Sequence, residues 1–284
     1  MKIYTLNVGQ GQFVVVTGDT EAIIVDTSIS LSPREPIINV KSALADILKG
    51  KNFMGVMITG FDDDHFNEVG IKIALNKYRP NWIMYPKYFK RAKTADACFR
   101  AIESFEENKA FMRVSVLLNS NDTRFYNKLS DDFKFEVFSP HAEDMDCSNN
   151  CSLVCKITER STDSTYLVTG DTENYRWESI AQIFGDSLKS DALAAPHHGS
   201  ENGITDSAIQ HIRPHTVLIS AGVDNEYGHP HDKALRIFEK KAKKIYSTNY
   251  GGGQSLVTEI TRETIDTKKY RVSDDVEKRS MVWI

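Results

Sequence analysis

The amino-acid sequence predicts an α/β protein with an αββα sandwich fold, in which two mixed β-sheets pack face to face and helices cover the outside. Strand-forming runs come first and later alternate with helical segments, whereas a doubly wound parallel sheet would alternate regularly from its beginning. The 284 residues, 40% of them hydrophobic, are enough to bury a large core. Because no repeat, low-complexity tract or Gly/Ser linker interrupts the chain, we expect a single domain over 1–284.

Each predicted strand is a short run that is apolar throughout, or at every second residue, and that is bounded by turn residues. In chain order these runs are KIYTLNV, FVVVTG, EAIIVDTS, GVMITG, NWIMYP, VSVLLNS, FKFEVFSP, SLVCKIT, STYLVTGD, DALAAP, TVLISAG, KKIYSTN, SLVTEI and SMVWI. Apolar residues at helical spacing predict helices over 35–50, 66–78, 91–106, 174–185, 203–212 and 231–243.

Composition limits the range of partners. The formal net charge of -4 provides no basic field over the whole protein, so a polyanion would be held by a local patch or by bound cations. The first residues turn polar too early for a signal peptide, and no apolar run approaches the roughly 20 residues of a membrane span. We therefore expect a cytoplasmic protein that does not contact membranes. The cysteines at 98, 147, 151 and 155 are too few for a disulfide framework and lack zinc-knuckle spacing, which predicts reduced thiols.

The stretch ITGFDDDHFNE places Asp62, Asp63, Asp64 and His65 directly after the buried run GVMIT, at the turn into a helix. Three carboxylates and an imidazole in four consecutive positions at a strand end are typical of a metal site. Carboxylates also stabilise helix N-termini, so helix capping is a second explanation for the aspartates.

Three further strands end in residues of the same kinds. Asp171 follows STYLVTG, where a carboxylate can bridge two cations. His197, His198 and Ser200 follow DALAAP, and since adjacent side chains diverge, we expect one histidine to bind an ion and the other to transfer protons or contact phosphate. The loop after TVLISAG carries His229. Together these strand ends predict a metal site on one edge of the sandwich.

In their order and spacing, these motifs resemble the metallo-β-lactamase superfamily, and more narrowly the hydrolase domain of ComEC-type competence proteins. The resemblance covers nearly the whole chain. It rests on LNVGQGQ at 6–12, IVD at 24–26, N-x-S-L-V at 150–154, TGD at 169–171, HHGS at 197–200, GHP at 228–230 and IYSTNYGGG at 245–253, of which HHGS and GHP are the most specific. The family's metal motif H-x-D-x-D-H falls on 60–65.

The resemblance implies a hydrolase with the metallo-β-lactamase fold and one or two divalent cations, with Mn²⁺ or Zn²⁺ expected and Mg²⁺ as a further candidate. The implied metal ligands are Asp62, Asp64, His65, Asp171 and one histidine of the 197–198 pair, for which we prefer His197. The implied catalytic residues, which would contact the scissile group or transfer protons, are His229, His198 and Ser200. Asp26 would orient the ligand loop without binding the ion.

One position departs from the family pattern, because Gly60 stands where the family has its first histidine. Loss of that imidazole weakens the hold on one ion and leaves a carboxylate-rich set, which favours Mn²⁺ or Mg²⁺ over Zn²⁺. Three explanations stay open. His141 replaces the missing ligand, or one ion binds tightly and a second is recruited with the substrate, or catalysis has been lost.

The resemblance implies a phosphodiesterase or nuclease that acts on DNA, another nucleic acid or a nucleotide, in which a metal pair lowers the pKa of a bound water. YPKYFKRAK at 85–93 agrees with this, since it interleaves basic side chains with aromatic rings as single-stranded nucleic-acid paths do, although a solvated charged edge would look the same. One alternative is a hydrolase of an ester, lactone or thioester. Another is a catalytically impaired binding or regulatory module, motivated by Gly60. The sequence does not indicate a protein partner.

Overall fold

The computed structural model describes residues 1–32, 36–87, 92–106, 111–145 and 147–273. In chain order the strands are β1 (Lys2–Thr5), β2 (Val14–Thr17), β3 (Glu21–Val25), β4 (Asn52–Met57), β5 (Trp82–Pro86), β6 (Met112–Val116), β7 (Arg124–Tyr126), β8 (Phe133–Ser139), β9 (Val154–Glu159), β10 (Thr165–Val168), β11 (Ala192–Ala194), β12 (Thr216–Ile219), β13 (Lys244–Ser247), β14 (Ser255–Ile260) and β15 (Ile265–Tyr270). The helices are α1 (Val40–Ile47), α2 (Glu68–Tyr78), α3 (Lys93–Glu106), α4 (Asn174–Phe184), α5 (Asp206–Ile212) and α6 (Asp232–Glu239).

The strands form two sheets. Within the described ranges the first sheet has eight strands in the order β15-β14-β1-β2-β3-β4-β5-β6, and the second has seven in the order β13-β12-β11-β10-β9-β8-β7. Pairing is parallel from β3 to β6 and from β10 to β13. The remaining pairs are antiparallel. Both sheets are therefore mixed, as predicted.

The hydrophobic side chains divide into three layers, which is what an αββα sandwich requires. The middle layer lies between the sheets and contains Val25 and Met57 from the first sheet and Phe135 and Ile157 from the second. Trp82 meets Phe135 edge to face across this layer, with ring centroids 5.4 Å apart. The outer layers pack α1, α2 and α3 on the first sheet and α4, α5 and α6 on the second. The predicted fold class is confirmed.

Several elements differ from the sequence prediction. Strands β7 and β15 are edge strands in which exposed polar residues interrupt the apolar pattern, so the periodicity did not predict them. Helix α1 begins later than predicted because Asn39 caps it, its side chain accepting from the Ser42 N–H at 3.1 Å. The predicted strand SMVWI, residues 280–284, lies outside the described residues. No helix of the described chain combines the length and the apolar character that crossing a membrane requires.

The fold brings chain segments that are distant in sequence to one edge. Parallel strands place their carboxyl ends at the same edge of a sheet. The segment 58–65 follows β4, and the polar loops after β10, β11 and β12 begin at the matching ends of the second sheet. The candidate site lies where the two sets of strand ends meet.

Candidate metal centre

Backbone hydrogen bonds from two other loops hold the turn that follows β4. The N–H of Gln12 donates to the Asp64 carbonyl and the N–H of Thr27 to the His65 carbonyl, both at 2.8 Å. Helix α2 begins after this turn, and Asn67 caps it by accepting from its third residue at 3.1 Å. The aspartates of the turn are therefore not the capping residues, and the helix end does not explain them.

Four side chains of the predicted site converge at this edge. Ligand atoms of Asp64, His65, Asp171 and His198 all lie within 4.8 Å of one another. The His65 Nε2 lies 2.8 Å from Oδ1 of Asp171. The His198 Nε2 lies 3.4 Å from Oδ2 of Asp64 and 3.7 Å from Oδ1 of Asp171. Two carboxylates and two imidazoles at these separations match the donor types that Zn²⁺ and Mn²⁺ take in proteins.

The Nδ1 atom fixes the orientation of each imidazole. The His65 Nδ1 lies 2.8 Å from Oδ2 of Asp26, and the His198 Nδ1 donates to the Ser220 carbonyl at 2.8 Å. With its proton on Nδ1, His198 presents Nε2 to the carboxylates, where this buried nitrogen has no hydrogen bond of acceptable geometry. Because this buried nitrogen faces two carboxylates, a cation placed between the three groups fits the arrangement.

Asp26 lies behind the cluster and is completely buried. Its Oδ1 accepts from the Thr59 N–H at 2.6 Å. Its Oδ2 accepts from the Thr59 hydroxyl at 2.6 Å and from the Gln12 amide at 2.8 Å, besides its contact with His65. The carboxylate thus ties the β4 end to the N-terminal loop and orients one proposed ligand, which is the arrangement that the sequence analysis expects for Asp26.

Charges within the cluster shift the pKa values of its members. Burial by itself lowers the pKa of His65, but the carboxylates of Asp171 and Asp26 outweigh it and raise that pKa well above its ordinary value. Burial also opposes protonation of His198, yet Asp64 and Asp171 raise its pKa. The same contacts hold the pKa values of Asp64 and Asp171 below their usual range, although burial alone would raise them. A cation entering this site would therefore have to displace protons.

Comparison with known proteins gives relatives in sequence and in fold. No family model matches the chain. The ComE operon protein 3 of Bacillus subtilis (strain 168) is 28% identical over 264 residues, which make up 87% of this chain and 32% of that protein. The chain thus spans about a third of the length of this curated relative.

Solved structures identify the fold. Igni18, a metallo hydrolase from the archaeon Ignicoccus hospitalis, superposes with a TM-score of 0.56 at 15% identity, over 92% of this chain and 100% of that one. Human tRNase Z, short form, gives 0.53 at 11% identity, over 96% and 100% of the two chains. The chain has the metallo-β-lactamase fold. The diiron β-hydroxylase CmlA from Streptomyces venezuelae also superposes, with a TM-score of 0.52 at 13% identity over 86% of this chain and 52% of that one. The metallo-β-lactamase fold therefore supports more than one chemistry, and the fold alone does not identify the reaction.

In this metallo-β-lactamase fold His198, and not His197, completes the four-residue cluster. The resemblance in sequence favours His197, but its Nε2 lies 4.0 Å from Oδ2 of Asp171 and its side chain is 23% exposed. Both histidines have left-handed backbone, with φ of 50° and 54°, so their rings point to different sides, and the Ser220 carbonyl holds the ring of His198 inward. We therefore reassign the proposed ligand to His198.

Asp62 and His229 face the same cavity but lie outside the four-residue cluster. Burial, followed by the charge of Asp64, raises the pKa of Asp62. The His229 ring stacks on Tyr227 with centroids 5.6 Å apart. Burial and the neighbouring His198 lower the pKa of His229 to about 4, so this ring is neutral at pH 7.

Two other residues of the sequence prediction have different surroundings. Ser200 is buried, its hydroxyl accepts from the Asn202 N–H at 3.4 Å, and it does not belong to the described residues that line the cavity. The ring nitrogens of His141 are engaged elsewhere, Nε2 with the Asp122 carbonyl at 2.9 Å and Nδ1 with Arg176. The hypothesis that His141 replaces the missing ligand is therefore wrong.

A cavity of about 470 Å³ opens above the cluster. Its described lining contains no Lys or Arg, and its carboxylates are Asp62, Asp63, Asp64, Asp171 and Glu226. Leu31 and Tyr227, which are 72% and 54% exposed, give part of the wall an apolar surface. Of the basic stretch 85–93, residues 88–91 lie outside the described residues. The described mouth is therefore acidic and partly apolar.

Sequence reasoning missed two hydroxyl residues that support the site. Thr59 makes two of the hydrogen bonds to Asp26, and the Ser152 hydroxyl accepts from the Asp171 N–H at 3.0 Å. Ser and Thr are common at strand ends, so only the N-x-S-L-V pattern could have pointed to Ser152, and no pattern pointed to Thr59.

Proposed function

We propose that this protein is a metal-dependent hydrolase of the phosphodiesterase or nuclease type, acting on a nucleic acid or a nucleotide. The observation that carries the proposal is the convergence of Asp64, His65, Asp171 and His198, with the unpartnered His198 Nε2 facing two carboxylates. Burying charged and polar groups together costs free energy unless each one is paired. Such a cluster below an open cavity is therefore better explained by ligand binding than by stability.

A divalent cation held there supplies Lewis acidity toward a phosphate oxygen and acidifies water. The protein contributes orientation, since Asp26 and the Ser220 carbonyl fix the rings of His65 and His198. His229 is neutral and lines the cavity, so we assign it the transfer of a proton or a hydrogen bond to the scissile group. Ser200 is outside the lining, and we assign it to shaping the 197–200 turn.

The nucleic-acid part of the proposal draws on two kinds of support. One solved structure with the same fold is by name a tRNase, and the relative in sequence is the ComE operon protein 3. Lys87, directly after β5, and Lys93, at the start of α3, are basic residues of the stretch 85–93, and its Tyr85 packs against Phe61, next to Asp62 of the cavity lining. A strand of nucleic acid could reach the cavity along that side.

The experiment combines metal content with cleavage of labelled single-stranded DNA, double-stranded DNA and bis-p-nitrophenyl phosphate, each with and without Mn²⁺. Asp64→Ala is the test variant. Asp63→Ala is its matched control, because Asp63 is adjacent and exposed and lies outside the four-residue cluster. We expect metal-dependent cleavage in the wild type and in Asp63→Ala and its loss in Asp64→Ala. Cleavage that persists unchanged in Asp64→Ala would overturn the proposal.

The acidic, partly apolar mouth favours one alternative, hydrolysis of an uncharged ester, lactone or thioester, because a neutral substrate is not repelled by the carboxylates. Bound metal with turnover of p-nitrophenyl esters and no cleavage of phosphodiesters would favour it. If the protein binds no metal under any condition, the cluster is not a metal site, and the non-catalytic binding module becomes the leading interpretation.

A further inference from the structure

Gly60 leaves room for a Cβ in this structure. A Cβ built on Gly60 would come no closer than 3.8 Å to the His65 ring and 3.9 Å to the Ser152 hydroxyl, which are ordinary contact distances. Gly60 also does not have the left-handed backbone that favours glycine. Neither packing nor backbone strain therefore requires a glycine here, and a side chain at this position would point toward the residues that support the cluster.

Few ligands are available near Gly60 for an ion outside the four-residue cluster. The Asn150 side-chain oxygen accepts from the Glu173 N–H at 3.1 Å, and the Ser152 hydroxyl accepts from the Asp171 N–H. Asp62 is the remaining carboxylate of the motif, and it lines the same cavity as Asp64 and Asp171. Among the described residues Asp62 belongs to no group of three His, Cys, Asp or Glu ligand atoms within 4.8 Å of one another, so it offers a divalent cation a poor ligand set.

The four-residue cluster and the position beside Asp62 therefore differ in the ligands that they offer to a cation. The cluster position offers two carboxylates and two oriented imidazoles, one of them with an unpartnered, buried Nε2. The Asp62 position has no such group among the described residues, so any ion there would need ligands from outside the protein. Phosphate oxygens are such ligands, since hard divalent cations commonly complete their coordination with substrate phosphates.

We infer that the substrate-free site binds one divalent cation tightly, in the four-residue cluster, and that a second cation enters beside Asp62 only together with a phosphate-bearing substrate. This rests on the proposed function and adds the order in which the ions bind. The acidic lining agrees with it. With no Lys or Arg among the described lining residues, a phosphate group that enters with its own cation meets less repulsion than a bare one.

The test is calorimetric titration of the chelator-treated protein with Mn²⁺, alone and in the presence of thymidine 5′-monophosphate, with a protein-free titration of the nucleotide as the blank. We expect one tight equivalent alone and two with the nucleotide. Asp64→Asn should lower the affinity for the first ion by at least about 100-fold, because changes in residues that only support ligands already cost 10–100-fold. Asp62→Asn should leave the first ion in place and remove the second.

Gly60→His tests whether the missing imidazole at position 60 is the reason that the second cation binds weakly. We expect it to bind a second equivalent of Mn²⁺ without nucleotide, because a Cβ at this position makes only ordinary contacts and the imidazole adds a ligand beside the cluster. Asn52→His is the matched control, since it adds an exposed imidazole at the first residue of β4, the strand that precedes Gly60. Circular dichroism establishes whether Gly60→His folds. If it does not, the wild-type and Asp62→Asn titrations decide alone.

The outcomes separate the inference from the proposed function. Two tight equivalents in the wild type without nucleotide would overturn the inference and leave the hydrolase proposal intact. If Asp62→Asn still binds a second equivalent of Mn²⁺ with the nucleotide, Asp62 is not the ligand of the second cation. If a folded Gly60→His binds only one equivalent of Mn²⁺ without the nucleotide, the missing imidazole at position 60 is not the reason for the weak second position. A wild type that binds no Mn²⁺ or Zn²⁺ would overturn both proposals.

Discussion

Replacing Asp26 by asparagine removes one charge from the buried support of the candidate site and changes its shape little. The carboxylate accepts from the Thr59 N–H on Oδ1 and from Gln12, Thr59 and His65 on Oδ2. Asparagine has one acceptor oxygen. If that oxygen takes the Oδ2 position, the amide nitrogen faces the Thr59 N–H, and a buried donor loses its partner.

The magnitude follows from these contacts. A buried donor left without an acceptor costs about 1–3 kcal/mol, and each remaining hydrogen bond loses the strength that a charged acceptor gives, about 1 kcal/mol at most. We therefore expect Asp26→Asn to lower the free energy of unfolding of the metal-free protein by about 3 kcal/mol. For a chain of this size that corresponds to a melting temperature lower by about 6–12 °C. Because His65 also loses its anchor, the affinity for the first cation should fall about 10–100-fold.

The assay is thermal unfolding followed by the fluorescence of the buried Trp82 and Trp177, combined with calorimetric titration of Mn²⁺. Asp63→Asn is the control, because it removes the same charge from an exposed neighbour of the cluster. Equal melting temperatures for Asp26→Asn and Asp63→Asn would refute the reasoning about the buried hydrogen bonds. An unchanged Mn²⁺ affinity in Asp26→Asn would refute its role in orienting His65.

Three further predictions concern other parts of the chain. His198→Ala should lower the Mn²⁺ affinity at least about 100-fold and His197→Ala much less, and a calorimetric titration with the opposite order would restore His197 as the ligand. Gly70→Ala should destabilise the protein by about 3 kcal/mol or more, because a Cβ there would lie 1.5 Å from the Thr27 carbonyl oxygen, and a melting temperature equal to that of the wild type would contradict this close packing. Burial and the neighbouring Arg176 lower the pKa of His141, so the unfolded chain binds more protons below about pH 6.5 and stability falls as the pH drops through that value. His141→Gln should therefore show a smaller difference in melting temperature between pH 8 and pH 5.5 than the wild type, and an equal or larger difference would contradict the assignment.

Thirteen of the fifteen described strands and the position of the candidate site could be read from the sequence because both depend on local patterns. Buried strands such as GVMITG and TVLISAG are continuous apolar runs, and the polar motifs stand directly after them. Edge strands β7 and β15 were not predicted because exposed residues interrupt their apolar pattern. Helix α1 begins later than predicted because the capping side chain of Asn39, and not the apolar periodicity, determines where the first turn starts.

The sequence by itself determined the αββα sandwich and the gathering of Asp64, His65, Asp171 and a histidine of the 197–198 pair at one edge, since strand order and strand ends are properties of the local pattern. Only the tertiary structure decided which histidine faces the cluster. That choice depends on the left-handed backbone at 197–198 and on the Ser220 carbonyl, which directly follows strand β12. The structure likewise removed His141 as a substitute ligand and showed that a Cβ fits at Gly60. Side-chain direction and free volume arise from contacts between segments far apart in the chain, and a linear pattern of residue types does not record them.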